Sequence, residues 1–224
     1  MGSPGNSTAR AWAEAWGDSG FRIHLVVTIA GLVAVLAVLT RFLDRVEERP
    51  GVVLPDTLLA LLPPRDVTSL IFGLIYVGLL HGVATLLTEP RRLVVTLQAY
   101  AMMMLLRMAA MWVTPLEAPP GMIPLEDPLV RLFGSGKLLT KDLFFSGHTS
   151  TLFLLALAVP GWRSRAFLLL CMAAVAGSVL WQHVHYTIDV LAAPFFAYAS
   201  YRLVLSARRE RAGSGPGASP RARR

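Results

Sequence analysis

Long stretches without charged residues alternate with short polar segments along the chain, and this pattern predicts membrane-spanning helices. A helix needs about 20 apolar residues to cross the hydrocarbon core of a bilayer, and several of these runs reach 18 to 23 residues. Because the runs are rich in Leu, Ala and Val and do not alternate with a period of two, helices are favoured over a barrel. The six predicted helices are 23–40, 67–88, 93–116, 143–162, 166–188 and 186–206.

The predicted fold class is therefore an all-α integral membrane protein, a six-transmembrane-helix bundle. Residues 1–21 form an N-terminal segment, 22–206 the membrane domain, and 207–224 a disordered basic tail rich in Gly, Ser, Pro and Arg. The first run is not expected to be a cleaved signal peptide, because Glu14 and Asp18 precede it and no small-residue cleavage site follows.

Composition agrees with this pattern. Hydrophobic residues make up 54% of the 224 residues and charged residues only 16%, which excludes a disordered chain and argues against a water-soluble globule. The single cysteine, Cys171, excludes an intrachain disulfide framework and a cysteine-based zinc site.

The basic residues predict the orientation. With six helices both termini share one side, and that side carries 13 Lys and Arg residues against 7 on the other, with Arg107 inside a helix. The positive-inside rule then places both termini in the cytoplasm of a multi-pass protein, expected in a bacterial plasma membrane. The arginine-rich tail is expected to meet anionic lipids rather than nucleic acid, because the chain is already in the membrane.

Ionisable and polar side chains gather where the fourth, fifth and sixth predicted helices reach the outer face. Such residues are costly in a membrane and indicate function. They include Asp142, Ser146, His148, His185, Tyr186 and Asp189, and Gly147 lies between Ser146 and His148.

The spacing of His185 and Asp189 suggests nucleophilic catalysis. On a helix, residues four apart share a face, so the carboxylate could hold one imidazole nitrogen and leave the other free to attack. His148 would then protonate the leaving oxygen. Backbone N–H groups at Ser146 and Gly147, in the first turn of helix four, suit a phosphate oxygen.

Ser146-Gly147-His148-Thr149, followed by His185-Tyr186-Thr187-Ile188-Asp189, resembles the sphingomyelin synthase branch of the type-2 phosphatidic acid phosphatase superfamily. Weaker similarities to its first and second motifs lie at 54–56 and around helix three, at Arg91, Arg92, Tyr100 and Arg107.

The resemblance implies six helices and a lipid phosphotransferase that forms a phospho-histidine intermediate without a metal or other cofactor. His185 would be the nucleophile, Asp189 its orienting base and His148 the acid and base. The expected donor is a membrane phospholipid and the expected acceptor diacylglycerol or a ceramide-like alcohol. Asp142, Arg107, Tyr186 and Glu117 are candidates for substrate binding beside Ser146 and Gly147, and a homo-oligomer is possible.

Other functions stay open. The same chemistry could end on water, giving a phospholipase-C-like hydrolase, or act on a monoester as a lipid phosphate phosphatase. The absence of an arginine shortly before His185 favours a diester. A non-enzymatic lipid-binding or transport protein on the same scaffold is the third hypothesis.

Structural interpretations compete for several residues. Asp142 could be the N-cap of helix four, and Arg107 could pair with Asp56, Glu117 or a substrate phosphate. His24, His81 and His183 are expected to be structural. The two histidines and the aspartate could also bind zinc. The Gly134–Lys137 stretch suggests a phosphate-binding loop, but the first glycine and the preceding strand of such a loop are missing. That interpretation is therefore rejected.

Overall fold

The computed structural model describes residues 4–125 and 139–213, and within them the chain is helical apart from its connections. A single parallel bridge joins Val52 to Leu116 in the described loops. The eight helices of these ranges are α1 Pro4–Gly17, α2 Ser19–Glu48, α3 Thr57–Leu61, α4 Thr68–Leu87, α5 Pro90–Val113, α6 Gly147–Ala158, α7 Trp162–Trp181 and α8 Thr187–Gly213.

Five of the described helices, α2, α4, α5, α7 and α8, are long and apolar enough to cross a membrane. The predicted all-α membrane architecture is thus confirmed, but the count of six spans is not. The fourth predicted span contains only α6, which has 12 residues. At 1.5 Å per residue α6 is about 18 Å long, well short of the roughly 30 Å hydrocarbon core.

Helix α6 is short because both of its flanks leave the helical conformation. Before it, Phe144 has a positive φ of 86°, and Ser146 is the N-cap, with its Oγ accepting from Thr149 N. After it, Pro160 interrupts the chain and Gly161 has a φ of 84°. The predicted helix 143–162 is therefore wrong at both ends, since an uninterrupted apolar run does not reveal the backbone conformation inside it.

The non-helical stretch before α6 is enclosed by the other helices. Leu143, Phe145 and Ser146 are fully buried, and α6 packs against α4, α5, α7 and α8. Irregular backbone is tolerated at membrane depth only where protein or a cavity surrounds it. On α4, Gly78 and Gly82 face Leu152 and Leu155 of α6, and a Cβ at either glycine would press into those side chains. Small residues thus let α4 and α6 pack closely.

Both ends of α4 lie within one residue of the predicted ends, 67 and 88. The other long helices differ from their predicted ranges at one or both ends. Helix α2 begins earlier, because Asp18 accepts from the backbone N–H groups of Gly20 and Phe21. Helix α1 lies within the segment predicted to be an N-terminal extension. Helix α8 continues to Gly213, so the first residues of the predicted disordered tail are helical. The rest of that tail and the Gly134–Lys137 stretch lie outside the described residues.

Candidate active site

Two chain segments meet at the end of the bundle where α6 and α8 begin. The backbone N–H of Ser146 donates to the carbonyl oxygen of Asp189 over 3.1 Å. This bond joins the segment that carries Ser146, Gly147 and His148 to the segment that carries His185 and Asp189. A main-chain hydrogen bond thus joins the two predicted histidine motifs. His148 lines a cavity there, whereas His185 and Asp189 are not among the residues that line it.

His185 and Asp189 form a buried pair. Nδ1 of His185 lies 3.2 Å from Oδ2 of Asp189, and both residues are at most 3% exposed. The pair does not lie along one helix face, however, because α8 begins at Thr187 and His185 precedes it. Asp189 is the third helical residue, and its carboxylate also accepts from Tyr186 N over 3.1 Å, the backward reach of a capping box.

The pairing determines which nitrogen of His185 can react. A carboxylate only accepts hydrogen bonds, so Nδ1 carries the proton that it donates to Asp189, and Nε2 keeps its lone pair. The other carboxylate oxygen of Asp189, Oδ1, is buried and has no hydrogen-bond partner within the described ranges. A buried acceptor in that condition calls for an explanation such as a bound donor.

His148 is the second residue of α6 and follows Gly147 directly. Its ring is nearly perpendicular to that of Phe72 on α4, with ring centres 6.3 Å apart and planes at 85°. His148 also lines a cavity, together with Gly147 and Thr151 of the same helix. The helix N-terminus beside it favours negative charge.

Arg107 is buried within α5 and forms an ion pair with Asp142. Its Nη2 lies 2.8 Å from Asp142 Oδ1. No donor among the described residues has the angles of a hydrogen bond to that oxygen, so the contact is an ion pair only. The structure pairs Arg107 with neither of the predicted carboxylates, Asp56 and Glu117. Asp142 is not the N-cap of α6 either, since Ser146 holds that position.

The guanidinium of Arg107 lies directly against the start of α6. A Cβ added to Gly147 would overlap Arg107 Nη1, so only glycine allows this approach. Arg107 Nε is buried and finds no acceptor among residues 4–125 and 139–213. Because a guanidinium has five N–H donors and Asp142 satisfies few of them, the site retains donors for a further anion.

Asp56, in the loop before α3, ties this site to its surroundings. Both oxygens of Asp56 accept from Thr187, from its N–H over 2.7 Å and its hydroxyl over 2.9 Å, while Oδ1 also caps α3. Burial opposes ionisation of Asp56, but the hydrogen bonds from Thr187, Leu59 and Leu58 outweigh it and hold its pKa below the usual value.

Glu117 and Tyr186 have structural partners. Glu117 Oε1 accepts from Lys141 Nζ and from Gly51 N, and the hydrogen bond from Lys141 lowers the pKa of Glu117. Tyr186 is fully buried; its hydroxyl donates to the Glu117 carbonyl and accepts from Leu54 N, and burial raises its pKa. Neither residue lines the cavity, so their roles in substrate binding stay predictions.

Gln182 and His183 connect distant loops. The sequence predicted a structural role for His183 but did not indicate one for Gln182. Buried Gln182 bonds Val67 N, Thr68 Oγ1 and the Ile123 carbonyl. The ring nitrogens of His183 lie 2.8 and 2.9 Å from the carbonyl oxygens of Pro120 and Leu62. Both residues fix the loops around the turn that carries His185, and no sequence signal identified their distant partners.

The cavity beside His148 has a volume of about 500 Å³. Its charged lining, Arg107, Asp142 and His148, lies around the start of α6, and its other polar side chains are those of Tyr76, Thr96, Tyr100 and Thr151. The rest is mainly aliphatic, from Leu32, Ile75, Leu79, Val83, Leu86, Leu93, Leu97, Met104, Leu152, Leu154 and Leu155. A charged end and a long apolar body suit an amphiphile.

The other histidines have ordinary contacts. His24 Nδ1 lies 2.7 Å from the Gly20 carbonyl one helical turn earlier, and the ring of His81 packs edge-on against Phe167 with centres 4.8 Å apart. As to the zinc hypothesis, the described part of the chain contains no group of three or more His, Cys, Asp or Glu residues placed to hold a metal ion.

Comparison with known proteins gives one match. Residues 141–206 match the family described as PAP2 superfamily C-terminal, and no curated protein matches the chain. The matched segment begins one residue before Asp142 and includes Ser146, His148, His185 and Asp189. The match identifies residues 141–206, which contain α6, α7 and most of α8, as similar to the C-terminal part of the PAP2 superfamily.

Proposed function

We propose that the protein is a membrane lipid phosphotransferase, similar to sphingomyelin synthases, that moves a phospho-head group from one lipid to another. The observation that carries the proposal is the buried His185–Asp189 pair, bonded through the main chain to the segment that presents His148. The alternative outcome of the same chemistry is hydrolysis of the phospholipid.

The first step forms a phospho-enzyme. Nε2 of His185 attacks the phosphorus of the donor phosphodiester, and the bond from phosphorus to the glyceride oxygen breaks. His148 gives its proton to that oxygen, so diacylglycerol leaves as a neutral alcohol. Asp189 accepts the Nδ1–H bond throughout and stabilises the positive charge that develops on the ring.

The second step reverses the roles. The hydroxyl of the acceptor, diacylglycerol or a ceramide-like alcohol, gives its proton to His148 while its oxygen attacks phosphorus. The P–N bond breaks and its electrons return to Nε2 of His185. Water in the acceptor position would give a phospholipase-C-like reaction. Neither step uses a metal ion or another cofactor.

Arg107 and the cavity supply binding. The buried guanidinium beside Gly147 and the N-terminus of α6 are suited to the phosphate oxygens, and the apolar lining is suited to the hydrocarbon part of the lipid. On this proposal α6 and its flanking segments complete a sixth crossing. Both termini are then cytoplasmic and the reaction takes place on the outer side.

A lipid phosphate phosphatase is the second candidate from the same chemistry. Among the described residues, the cavity is lined by one Lys or Arg side chain, Arg107, which is already paired with Asp142, and by His148, whose proton goes to the leaving oxygen. A dianionic monoester would demand more positive charge than a diester. A non-catalytic lipid-binding protein is the third candidate, against which the intact His185–Asp189 pair is the main argument.

Activity assays separate these candidates. Purified protein in mixed micelles would receive head-group-labelled phosphatidylcholine or phosphatidylethanolamine, with and without diacylglycerol or ceramide, and with and without a chelator. Labelled lipid product supports transfer, a water-soluble phospho-head group supports hydrolysis, and inorganic phosphate from phosphatidate supports the phosphatase. Loss of activity with the chelator would instead favour a metal-dependent site.

The result that contradicts the proposal is equally clear. If no phospholipid is turned over by the wild type, or if His185→Ala retains wild-type activity, the enzymatic proposal fails and lipid binding becomes the better hypothesis. The orientation has a separate test, in which a reporter fused after Arg224 should be active only in the cytoplasm. Activity of that fusion in the extracytoplasmic space would reverse the proposed topology.

A further inference from the structure

The cavity beside His148 is long as well as apolar. Along α5 its lining runs from Arg107 to Leu93, 14 residues apart, which corresponds to about 21 Å of helix. The outer end lies about 9 Å inside α5, because Arg107 precedes the last helical residue, Val113, by six positions. Half of the hydrocarbon core measures only about 15 Å, so the cavity passes the bilayer midplane.

The far end of the cavity is formed where α4 turns into α5. Leu86 is the penultimate residue of α4, and Leu93 is the fourth residue of α5. The connection between the helices, Thr88 and Glu89, lies just beyond them. Leu86 is 1% exposed, so this end is enclosed by packed side chains.

One side of the cavity faces the bilayer. Leu79 and Val83 line it from α4, yet they are 38% and 37% exposed. Leu32 lines it from α2, and α2 packs mainly on α5 rather than on α4. A hydrocarbon chain could therefore pass between α2 and α4 without crossing water.

We infer that the end of this cavity near Leu86, Leu93 and Val83 measures the length of one hydrocarbon chain of the substrate lipid. The inference rests on the proposed function, since it assumes a phosphate held at Arg107 and His148. With the phosphate at that end, the chain has about 21 Å of apolar cavity to fill, and it then meets the α4–α5 turn.

The energetic basis is packing. A lipid that enters from the bilayer exchanges one apolar environment for another, so transfer out of water does not contribute. A chain that fills the cavity makes dispersion contacts along its whole length, whereas a short chain leaves the closed end unfilled and the side chains there lose those contacts. The chain that fills the cavity is therefore favoured over a short one. A chain longer than the cavity must bend or leave through the gap between α2 and α4. The enzyme should thus prefer long single chains, with the limit set by residues far from the chemistry.

Shortening the cavity tests the inference. Val83→Trp would place an indole near the closed end, at a position exposed enough to accept a larger side chain. Leu80→Trp, on the neighbouring turn of α4 at 70% exposure and outside the cavity lining, is the matched control. Turnover of dioctanoyl and dipalmitoyl phosphatidylcholine would be measured for each protein as kcat/KM.

The expected result is a rise of about tenfold or more in the short-to-long ratio for Val83→Trp, because an indole at the closed end overlaps the last methylene groups of the palmitoyl chain and leaves the octanoyl chain unaffected. The ratio for Leu80→Trp should equal that of the wild type. Equal ratios in both variants would overturn the inference while leaving the proposed function intact. Absence of turnover in the wild type would reject the proposed function instead.

A binding measurement keeps the inference testable without activity. Wild-type protein in nanodiscs would be photolabelled with a palmitoyl phosphatidylcholine that carries a diazirine near the methyl end of its chain. Labelling of the peptides around Leu86 and Leu93, displaced by unlabelled dipalmitoyl lipid and not by dioctanoyl lipid, supports the inference. Labelling only at lipid-facing residues such as Leu80 contradicts it.

Discussion

Nδ1 of His185 lies 3.2 Å from the carboxylate of Asp189, and the same carboxylate oxygen accepts the N–H of Tyr186. The orientation of the proposed nucleophile thus depends on the first turn of α8. Because Asp189 both caps α8 and holds the ring of His185, a change in the first turn of α8 should also change the reactivity of His185.

Asp189→Asn should reduce kcat strongly, because an amide can donate to Nδ1 and stabilise the wrong tautomer. In catalytic triads this replacement costs about 10⁴-fold, and a loss of about 10²–10⁴-fold is expected here. The measurement is steady-state turnover together with trapping of an acid-labile phospho-enzyme from labelled lipid. His185→Ala should form no phospho-enzyme at all. Trapping of equal label in His185→Ala would exclude it as the nucleophile.

His148→Ala should show a dependence on the leaving group. Loss of a general acid costs about 10²–10⁴-fold with a poor leaving group, which describes the diacylglycerol alkoxide. A p-nitrophenyl phosphodiester leaves without a proton, so its cleavage should fall much less. The two substrates are compared by single-turnover kinetics. Equal losses on both would indicate that His148 positions the substrate instead of protonating it.

Gly147→Ala should lower activity about as much as Arg107→Met, because the added Cβ occupies the space of Arg107 Nη1. The expected effect is a higher KM and a lower kcat, with a loss of about tenfold or more if one charge-assisted hydrogen bond to phosphate is broken. Gly177→Ala on α7 is the control, since nothing lies within 4 Å of its Cβ position. Wild-type kinetics for Gly147→Ala would show that the guanidinium can move without consequence.

Arg107→Met alone should destabilise the protein more than the double variant Arg107→Met with Asp142→Asn. The single change leaves Asp142 without its cation, although that side chain is 32% exposed and partly hydrated. A cost of about 1–3 kcal/mol is expected, below the value for a fully buried pair. Apparent unfolding temperatures in detergent measure it. The double variant should regain stability and stay inactive, and recovered activity would remove Arg107 from substrate binding.

Asp56 should stabilise the site in a pH-dependent way. Its pKa in the folded protein lies below the usual value, so its contribution is complete above the unfolded pKa of about 3.9 and is lost as the pH falls through the folded value. Asp56→Asn should therefore lower the unfolding temperature at pH near 7 and differ little from wild type under strongly acidic conditions. Glu48→Gln, at the exposed end of α2, is the control. A difference in unfolding temperature that persists in acid would show that Asp56 stabilises the protein through the geometry of its hydrogen bonds and not through its charge.

The sequence predicted the parts of the fold that depend on local pattern. The run 67–88 corresponds to α4 at Thr68–Leu87 almost residue for residue, and the short motifs containing His148 and His185 do come together. The start of α6 was not predictable, because Leu143, Phe144 and Phe145 are as apolar as the helix that follows and leave the helical path only through tertiary packing.

Long-range pairings were also beyond the sequence. Arg107 and Asp142 are separated by 35 residues, and Asp56 and Thr187 by 131. Charge alone allowed Arg107 several partners, and only the packing of α5 against the start of α6 selects one. The bond from Tyr186 N to Asp189 could not be read from the sequence either, because the capping-box pattern has Ser or Thr at the N-cap and Glu or Gln three residues later, whereas the chain has Tyr186 and Asp189.

The main-chain bond from Ser146 to Asp189 has a practical consequence. Since both of its atoms belong to the backbone, replacing the reactive side chains leaves the two segments in register. Catalytically silent variants such as Asp189→Asn should fold with an intact lipid cavity. They would serve as traps that retain a native lipid during purification, so that mass spectrometry of the extract could reveal the physiological ligand directly.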